Sequence, residues 1–273
     1  MASFKGAPKV WLITGASRGL GFELARAALV AGHDVIACRR SDTSKDASAR
    51  EITQLGGTWV QLDVGSENLE AQLADILQQH GNVDVLVNNA AHGLAGTIED
   101  CSIEEINRIF RVNTLGPIRT VKAVIPSMRA QGSGAIVNIS SSTGISAFPG
   151  VGTYAATKQA LEGTTEALHA ELAPFGIRVL LVEPGAMDTR FTDTSLENGT
   201  VEAPFSDCYK GSFAEKVAAL RIVEAVDGTG MLEGKTVGLR LPLGKDTLEL
   251  LRSKGREYTE LGEDLREVAE SIA

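Results

Sequence analysis

The sequence predicts an α/β fold, a single doubly wound parallel sheet of about seven strands with helices on both faces. Short apolar runs alternate with helical patterns along most of the 273-residue chain. This alternation is typical of βαβ units, and strands that are covered on both faces read as continuous apolar runs. No stretch rich in Pro, Gly or Ser divides the chain into halves, so we expect one domain over residues 1–273.

Each element follows from a local signal. Strands are predicted where β-branched and large apolar residues run together, and helices where apolar residues recur at helical spacing. The predicted strands are residues 10–14, 34–38, 58–62, 83–88, 135–140, 177–182 and 236–241. The predicted helices are residues 19–31, a short helix after the polar stretch 41–45, residues 69–79, residues 103–129 with a break at 116–117, residues 154–173 and residues 246–272.

The overall composition argues against several classes of protein. The formal net charge is −9, so nucleic acid is not expected as a main partner, because phosphate binding needs a basic face. The apolar run at residues 10–13 is too short for a signal peptide or a membrane span, and we expect a cytoplasmic protein. The cysteines Cys38, Cys101 and Cys208 fit no zinc pattern, so reduced thiols and no metal site are expected.

A glycine-rich turn lies between the first predicted strand and the first predicted helix. Its glycines permit a tight turn, and the helix N-terminus offers N–H groups and partial positive charge to a pyrophosphate. The candidate cofactor-binding residues of this turn are Gly15, Ser17, Arg18, Gly19, Leu20 and Gly21. The alternative is an ordinary strand–helix loop, but the position after a buried strand favours a Rossmann-type dinucleotide site.

The end of the second strand predicts which dinucleotide is bound. Arg39 and Arg40 stand where NAD-binding proteins carry an acidic residue that binds the adenosine ribose. Guanidinium groups suit phosphate oxygens, so we expect NADP(H) rather than NAD(H), with Arg18 also close to the 2′-phosphate. The alternative is a solvated basic loop.

The ends of the third and fourth strands carry further cofactor candidates. Asp63 and Val64 follow the third strand, and Asp63 is a candidate partner for the adenine amino group, or else a turn residue before the next helix. Asn88, Asn89 and Ala90 end the fourth strand, where ligands bind in such sheets. Asn88 is expected to brace the sheet or the adenosine, or to serve a simple turn.

Tyr154 and Lys158 form the candidate catalytic pair. They are four residues apart on a predicted helix and therefore share a face. A lysine ammonium close to a phenol stabilises the phenolate and makes proton exchange near neutral pH easier. Ser141, flanked by two other serines at a strand end, can polarise a substrate carbonyl, and Asn113 can hold a water that relays protons to Lys158. The alternatives are a chance surface pair and a polar residue that kinks its helix.

Together these residues resemble the short-chain dehydrogenase/reductase family. The matching segments are TGASRGLG at 14–21, NNA at 88–90, Asn113, ISSSTG at 139–144, YAATK at 154–158 and EPGAMDT at 183–189. The resemblance implies a catalytic tetrad of Asn113, Ser141, Tyr154 and Lys158. It also implies that Tyr154 and Lys158 contact the cofactor, with Lys158 on the nicotinamide ribose. Three residues are implied to contact the nicotinamide end, namely Pro184, Gly185 and Thr189.

Within that family the sequence is similar to the branch of 17β-hydroxysteroid dehydrogenase-like reductases. Two departures from the pattern are Ala91, where a glycine is usual, and His92, which either faces the substrate or is an ordinary loop histidine. The implied reaction is the reversible, NADPH-dependent reduction of a ketone or aldehyde. The alternatives are a catalytically silent NADP(H)-sensing protein, or an epimerase or dehydratase on the same fold.

The substrate is expected to meet a lid at about residues 186–235, because this segment is too long for an ordinary loop. Met187 and Phe191 of this segment, together with His92 and Ser141, are the candidate substrate contacts. The aromatic residues of the segment favour an apolar or aromatic substrate, or else they pack the lid down. The apolar positions of the tail at 246–272 cover the core or a subunit partner, and a homo-oligomer, dimer or tetramer, is expected.

Overall fold

The computed structural model describes residues 7–41, 47–185 and 213–266. It contains one sheet of seven strands in the order β3-β2-β1-β4-β5-β6-β7, and every pairing between neighbours is parallel. The strands are β1 Val10–Ile13, β2 Asp34–Arg39, β3 Thr58–Gln61, β4 Val85–Asn88, β5 Gly134–Ile139, β6 Ile177–Pro184 and β7 Arg240–Leu243. The predicted doubly wound parallel sheet is confirmed.

Helices connect the strands and cover the sheet. They are α1 Gly19–Val30, α2 Ala47–Gln54, α3 Leu69–His80, α4 Ile103–Phe110, α5 Gly116–Gln131, α6 Ser142–Ile145, α7 Gly152–Leu172, α8 Phe213–Asp227 and α9 Lys245–Asp264. The predicted break at 116–117 is wrong. A π-helical turn, Arg111–Leu115, joins α4 to α5 without interruption, and Pro117 lies in the first turn of α5.

Two hydrophobic cores lie on opposite faces of the sheet, because neighbouring side chains of a strand point to opposite faces. In β1, Trp11 and Ile13 pack on the side of α1 and α8, while Leu12 packs on the side of α3 and α5. Trp11, Leu12 and Ile13 are all fully buried. This two-sided burial explains the continuous apolar runs of the strands.

The second half of the predicted lid belongs to the core instead. Helix α8 carries buried apolar residues at helical spacing that pack beside α1 on the sheet, namely Ala218, Ala219, Ile222, Val223, Ala225 and Val226. A lid that reaches to residue 235 is therefore wrong. Residues 186–212 of the predicted lid lie outside the described part of the chain.

The parallel arrangement brings all strand carboxyl ends to one edge of the sheet. The order reverses between β1 and β4, which are paired at Ile13 and Val87. Ligands of open α/β sheets bind in the crevice at such a reversal. Among the described helices, none is long and apolar enough to cross a membrane.

Candidate active site

The glycine-rich turn after β1 is held by hydrogen bonds from the end of β4. Thr14 Oγ1 donates to the Val87 carbonyl and accepts from the amides of Asn89 and Ala90, both at 3.0 Å. Asn89 Nδ2 donates to the carbonyls of Thr14 and Gly15, at 3.0 and 3.1 Å. Asn89 therefore stabilises the conformation of the turn by binding two of its carbonyl groups.

Two glycines are required by this packing. Gly15 has a φ of +66°, and an added Cβ would lie 2.8 Å from the Ala90 Cα. A Cβ on Gly21 would overlap Asn89 Nδ2 and the Gly15 carbonyl oxygen. The turn thus depends on residues without side chains at both positions.

The glycine-rich turn also has an exposed side. Ser17 and Arg18 are exposed, and Arg18 begins α1 without a side-chain cap. The first N–H groups of α1 therefore lack a capping side chain, which fits a pyrophosphate at this helix end. Leu20 is buried in the core, so it can meet a cofactor only through its backbone.

The basic residues of the adenosine end differ in exposure. Arg39 is only 8% exposed, and its guanidinium lies over the Trp59 ring, 4.8 Å from the centroid. Arg40 follows β2 and is exposed. Of the two predicted phosphate ligands, Arg40 is the one whose side chain is open to solvent.

The residues after β3 are engaged within their own turn. Asp63 Oδ1 accepts the Gly65 amide at 2.9 Å, which is the turn role that the sequence left as an alternative. Val64 is buried and packs closely against Gly116 at the start of α5. A cofactor contact at Val64 would therefore use its backbone.

Asn88 braces the sheet. Its Nδ2 donates to Asn138 Oδ1 of β5 at 2.9 Å, and its Oδ1 accepts the Thr120 hydroxyl at 2.6 Å. Asn138 in turn donates to the Thr165 hydroxyl of α7 at 2.9 Å. This buried chain ties β4, β5, α5 and α7 together next to the site.

Asn113 holds the loop after β4 against the catalytic helix. Its Oδ1 accepts the His92 amide at 3.1 Å, and its Nδ2 donates to the His92 carbonyl at 2.9 Å and to the Thr157 hydroxyl at 3.2 Å. Both of its N–H groups are used by protein acceptors, so a relay water at Asn113 would have to bind an oxygen atom of this residue. Asn113 lies in the π-helical turn and reaches Thr157 of α7 from there.

His92 is partly buried, and its backbone is fixed by Asn113. Burial, followed by the charges of Arg108 and Arg40, lowers the pKa of its imidazole. The neutral ring is therefore favoured at neutral pH.

The structure distinguishes among the serines after β5. Ser140 is buried and donates to Glu162 Oε1 at 2.6 Å, so its hydroxyl is used inside the fold. Ser141 is only partly buried, accepts the Thr143 amide at 3.2 Å and hydrogen-bonds with Tyr154. Ser141 is therefore the serine beside the phenol, as the family resemblance implies.

Tyr154 and Lys158 lie on one face of α7, with Lys158 Nζ 5.8 Å from the centroid of the Tyr154 ring. Lys158 Nζ donates to the Ile139 carbonyl at 2.8 Å. Burial lowers the pKa of Lys158 to about 8, and the charge of Glu162 opposes this. Burial raises the pKa of Tyr154, and its hydrogen bond with Ser141 opposes that rise.

The remaining predicted residues lie at the end of β6 or outside the described chain. Pro184 ends β6, and Gly185 packs so closely against the Asp246 carboxylate that an added Cβ would overlap it. Met187, Thr189 and Phe191 lie outside the described residues.

Three residues of the site were missed by the sequence reading. Thr14 and Thr157 are hydrogen-bonding hubs, and Glu162 lies one helical turn after Lys158. Thr14 is the first residue of the TGASRGLG segment. Neither the two threonines nor Glu162 belongs to a sequence pattern that indicates a role in the site. Their partners lie 22 to 76 residues away in the chain, so no local pattern identifies them.

The sequence was also compared with protein families and with known proteins. The sequence profile described as "short chain dehydrogenase" matches residues 9–199. The chain is 45% identical over 194 residues to "Oxidoreductase claN" of Passalora fulva, which covers 71% of this chain and 88% of that protein.

Solved structures show the same fold. A short-chain dehydrogenase from Streptomyces avermitilis has a TM-score of 0.82 and 34% identity, and covers 98% of this chain and 100% of its own. An alcohol dehydrogenase from Thermococcus sibiricus, complexed with 5-hydroxy-NADP, has a TM-score of 0.72 and 30% identity, and covers 86% of this chain and 95% of its own.

Proposed function

Because this chain belongs to the short chain dehydrogenase family, an oxidoreductase family, we propose that it reduces a ketone or aldehyde reversibly with NADPH. The observation that carries the proposal is the meeting of Ser141, Tyr154 and Lys158 at the carboxyl edge of the sheet. They lie at the end of β5 and on α7, at the same edge as the glycine-rich turn after β1. The proposed proton donor, Tyr154, and the proposed cofactor-binding turn therefore lie at the same edge of the sheet.

The proposed mechanism divides the reaction between the cofactor and the chain. When bound, the reduced nicotinamide supplies a hydride to the carbonyl carbon. Ser141 donates a hydrogen bond to the carbonyl oxygen and stabilises the negative charge that develops there. Tyr154 gives its phenolic proton to that oxygen, and the product is the alcohol.

Lys158 makes the proton transfer feasible. Burial alone holds the Tyr154 proton too tightly, because it raises the pKa of the phenol. With a pKa of about 8, Lys158 is mostly charged at neutral pH, and a nearby ammonium favours the phenolate. Asn113 acts as a positioning residue, because it joins the His92 backbone to Thr157 beside Lys158.

The phenol is tested with Tyr154→Phe. The variant should lose nearly all carbonyl reduction and bind NADPH almost unchanged, since only the acidic hydroxyl is removed. Turnover is followed by the absorbance of reduced nicotinamide over a panel of carbonyl compounds, and binding by its fluorescence. Tyr258→Phe, an exposed tyrosine on α9, is the matched control, and retention of most activity by Tyr154→Phe would refute the role.

The same panel separates the alternative functions. Tight NADPH binding without oxidation by any carbonyl compound would favour a sensing protein. Product analysis that finds an epimer or an alkene, with no net change in the nicotinamide, would favour an epimerase or a dehydratase.

NADP(H) preference is proposed to rest on Arg40 with Arg18 and Arg39 around the 2′-phosphate. Arg40 is exposed at the end of β2, and guanidinium groups bind phosphate oxygens well. Arg40→Ser should lower the ratio of kcat/KM with NADPH to that with NADH by about tenfold or more. Arg50→Ser, at an exposed position on α2, should leave the ratio unchanged, and a wild type that prefers NADH would contradict the proposal.

An apolar or aromatic substrate of small to medium size is favoured by the rim of the site. Ile98 and Phe148 are both exposed, and Ile98 packs against Gly152, two residues before Tyr154. The loops that carry them are joined by a hydrogen bond of 2.8 Å from the Gly96 amide to the Gly150 carbonyl. Met187 and Phe191, in the remaining part of the proposed lid at residues 186–212, lie outside the described residues and stay proposed substrate contacts.

Two further proposals rest on the family. The 17β-hydroxysteroid dehydrogenase-like branch remains a prediction from the segments CSIEEINRIFRVNTLGP, ELAPFGIRVLLVEPG and LRLPLGKDTLELLR, and a steroid in the carbonyl panel tests it. A homo-oligomer, dimer or tetramer, is proposed, and sedimentation at several protein concentrations tests it.

A further inference from the structure

A buried group of charged residues lies directly behind the catalytic pair. Glu162 is one helical turn after Lys158 on α7 and is 5% exposed. Its Oε1 accepts the Ser140 hydroxyl at 2.6 Å, and its Oε2 accepts Arg240 Nη1 of β7 at 2.9 Å. An added Cβ on Gly144 would overlap Glu162 Oε1, so α6 also packs on this carboxylate.

We propose that Glu162 is a positioning residue of the reaction, which fixes the place of Ser141 and maintains the positive charge of Lys158. The inference rests on the proposed function for its effect on turnover. The effect of Glu162 on the charge of Lys158 can be measured without any reaction, so it does not depend on the proposed function.

The positioning of Ser141 follows from two consecutive hydrogen bonds. Lys158 holds the Ile139 carbonyl and Glu162 holds the Ser140 hydroxyl. Two neighbouring residues at the end of β5 are thus fixed to two neighbouring turns of α7. Ser141 comes next in the chain, and Tyr154 lies one turn before Lys158 on the same helix. The Glu162–Ser140 bond therefore contributes, with the Lys158–Ile139 bond, to the distance between the hydroxyls of Ser141 and Tyr154.

The charge of Lys158 follows from the arrangement of the other ionisable groups. Among the described residues, the charged side chains grouped around Glu162 are Lys158, Glu166, Glu183 and Arg240. Arg240 also pairs with Glu166 and Glu183. Glu183 is fully buried, and burial raises its pKa to about 7. Arg240 pairs with Glu162 at 2.9 Å, and the charge of Glu162 favours the ammonium form of Lys158 against the effect of burial.

The test is Glu162→Gln in the full chain, with two measurements. In carbonyl reduction, kcat should fall by up to about 100-fold, because a small displacement of a catalytic group has effects of this size. The fall of kcat/KM at alkaline pH should begin about one pH unit lower, because Lys158 loses an opposing charge. The Lys158 side chain, labelled with ¹³C at Cε and identified by the signal lost in Lys158→Arg, should titrate at correspondingly lower pH in NMR spectra.

Matched variants separate geometry from charge. Ser140→Ala removes the hydrogen bond and no charge, so kcat should fall while the Lys158 titration stays at its wild-type pH. Glu166→Gln removes a half-exposed carboxylate from the same arginine but has no bond to Ser140. It should leave both kcat and the titration unchanged.

Contrary outcomes are distinguishable. A Lys158 titration in Glu162→Gln equal to that of the wild type, or an equal shift in Glu166→Gln, would overturn the inference. If the wild type reduces no carbonyl compound, the proposed function fails and the NMR titration alone decides the role of Glu162. If Glu162→Gln does not fold, Glu162→Asp replaces it. This variant keeps the charge and shortens the reach, and should lower kcat without moving the Lys158 titration.

Discussion

At the scale of single residues, the site depends on close packing as much as on polar groups. The glycine-rich turn lies directly against Asn89 and Ala90, so there is no space for a side chain at Gly15 or Gly21. Ser141 and Ser140 are adjacent in sequence, yet one bonds with Tyr154 and the other with Glu162. Successive residues of an extended chain point in opposite directions, and this separates the catalytic from the structural hydroxyl.

Gly21→Ala should impair cofactor binding and stability. The new Cβ would overlap Asn89 Nδ2 and the Gly15 carbonyl oxygen, so the turn has to open. We expect NADPH affinity, measured by nicotinamide fluorescence, to fall at least about tenfold, which corresponds to roughly 1.4 kcal/mol.

Gly163→Ala is the matched control. Gly163 lies inside α7, is exposed, and has no atom within 4 Å of an added Cβ. Alanine there should raise the free energy of unfolding by about 0.5–1 kcal/mol, because the unfolded chain loses freedom. Equal NADPH affinity for Gly21→Ala and the wild type would contradict the close packing described for the turn.

At the scale of elements, α4, the π-helical turn and α5 form one continuous unit that presents Asn113 and Thr114 to α7. Both bond to Thr157, the residue before Lys158. A π-helical turn inserts one extra residue into the helix and re-aims the side chains that follow. The unit begins at a capping box, in which Ser102 Oγ accepts the Glu105 amide at 3.2 Å and Glu105 Oε2 accepts the Ser102 amide at 2.9 Å.

Ser102→Ala should lower the free energy of unfolding by about 1 kcal/mol, because an N-cap acceptor is lost. The free energy is measured by urea unfolding. Glu105→Gln should cost much less, since glutamine also serves in a capping box. A Ser102→Ala variant as stable as the wild type would show that α4 does not depend on its cap.

At the scale of the whole molecule, one ionic group ties the start of the sheet to α8. Asp227 accepts from His33 Nε2 at 2.9 Å and from Lys9 Nζ at 2.7 Å, and its side chain is 2% exposed. Burial alone would raise the pKa of Asp227, but the hydrogen bonds from His33 and Lys9 outweigh it and lower the pKa below the ordinary value of 3.8.

A group whose pKa is lower in the folded state stabilises the fold above its unfolded pKa, and this contribution is lost as pH falls through the folded pKa. Asp227→Asn should therefore be less stable than the wild type at pH 7, by about 1–3 kcal/mol. The difference in the free energy of unfolding between the variant and the wild type should become smaller as pH falls below about 4. Urea unfolding between pH 7 and pH 3 measures it.

Glu263→Gln, which removes an exposed ion pair with Arg266, is the matched control and should change stability little at any pH. A difference between Asp227→Asn and the wild type that stays constant down to pH 3 would contradict the role of the Asp227 charge.

The sequence by itself determined the fold class, the seven strands and the roles that depend on neighbours in the chain. Apolar runs and glycines act locally, so β1, the turn after it and the Tyr154–Lys158 face of α7 were all predictable. A lid as far as residue 235 was wrong, because the helical spacing of residues such as Ala218 and Ile222 shows an apolar face but not what it packs against.

Only the tertiary structure decided how the site is supported. Asn113 bonds to Thr157, Glu162 bonds to Ser140 and Arg240, and Arg39 stacks on Trp59. Each of these contacts joins elements that are distant in the chain, and each is made by a common residue type. Their partners are set by the packing of helices on a sheet, which no local pattern of residues contains.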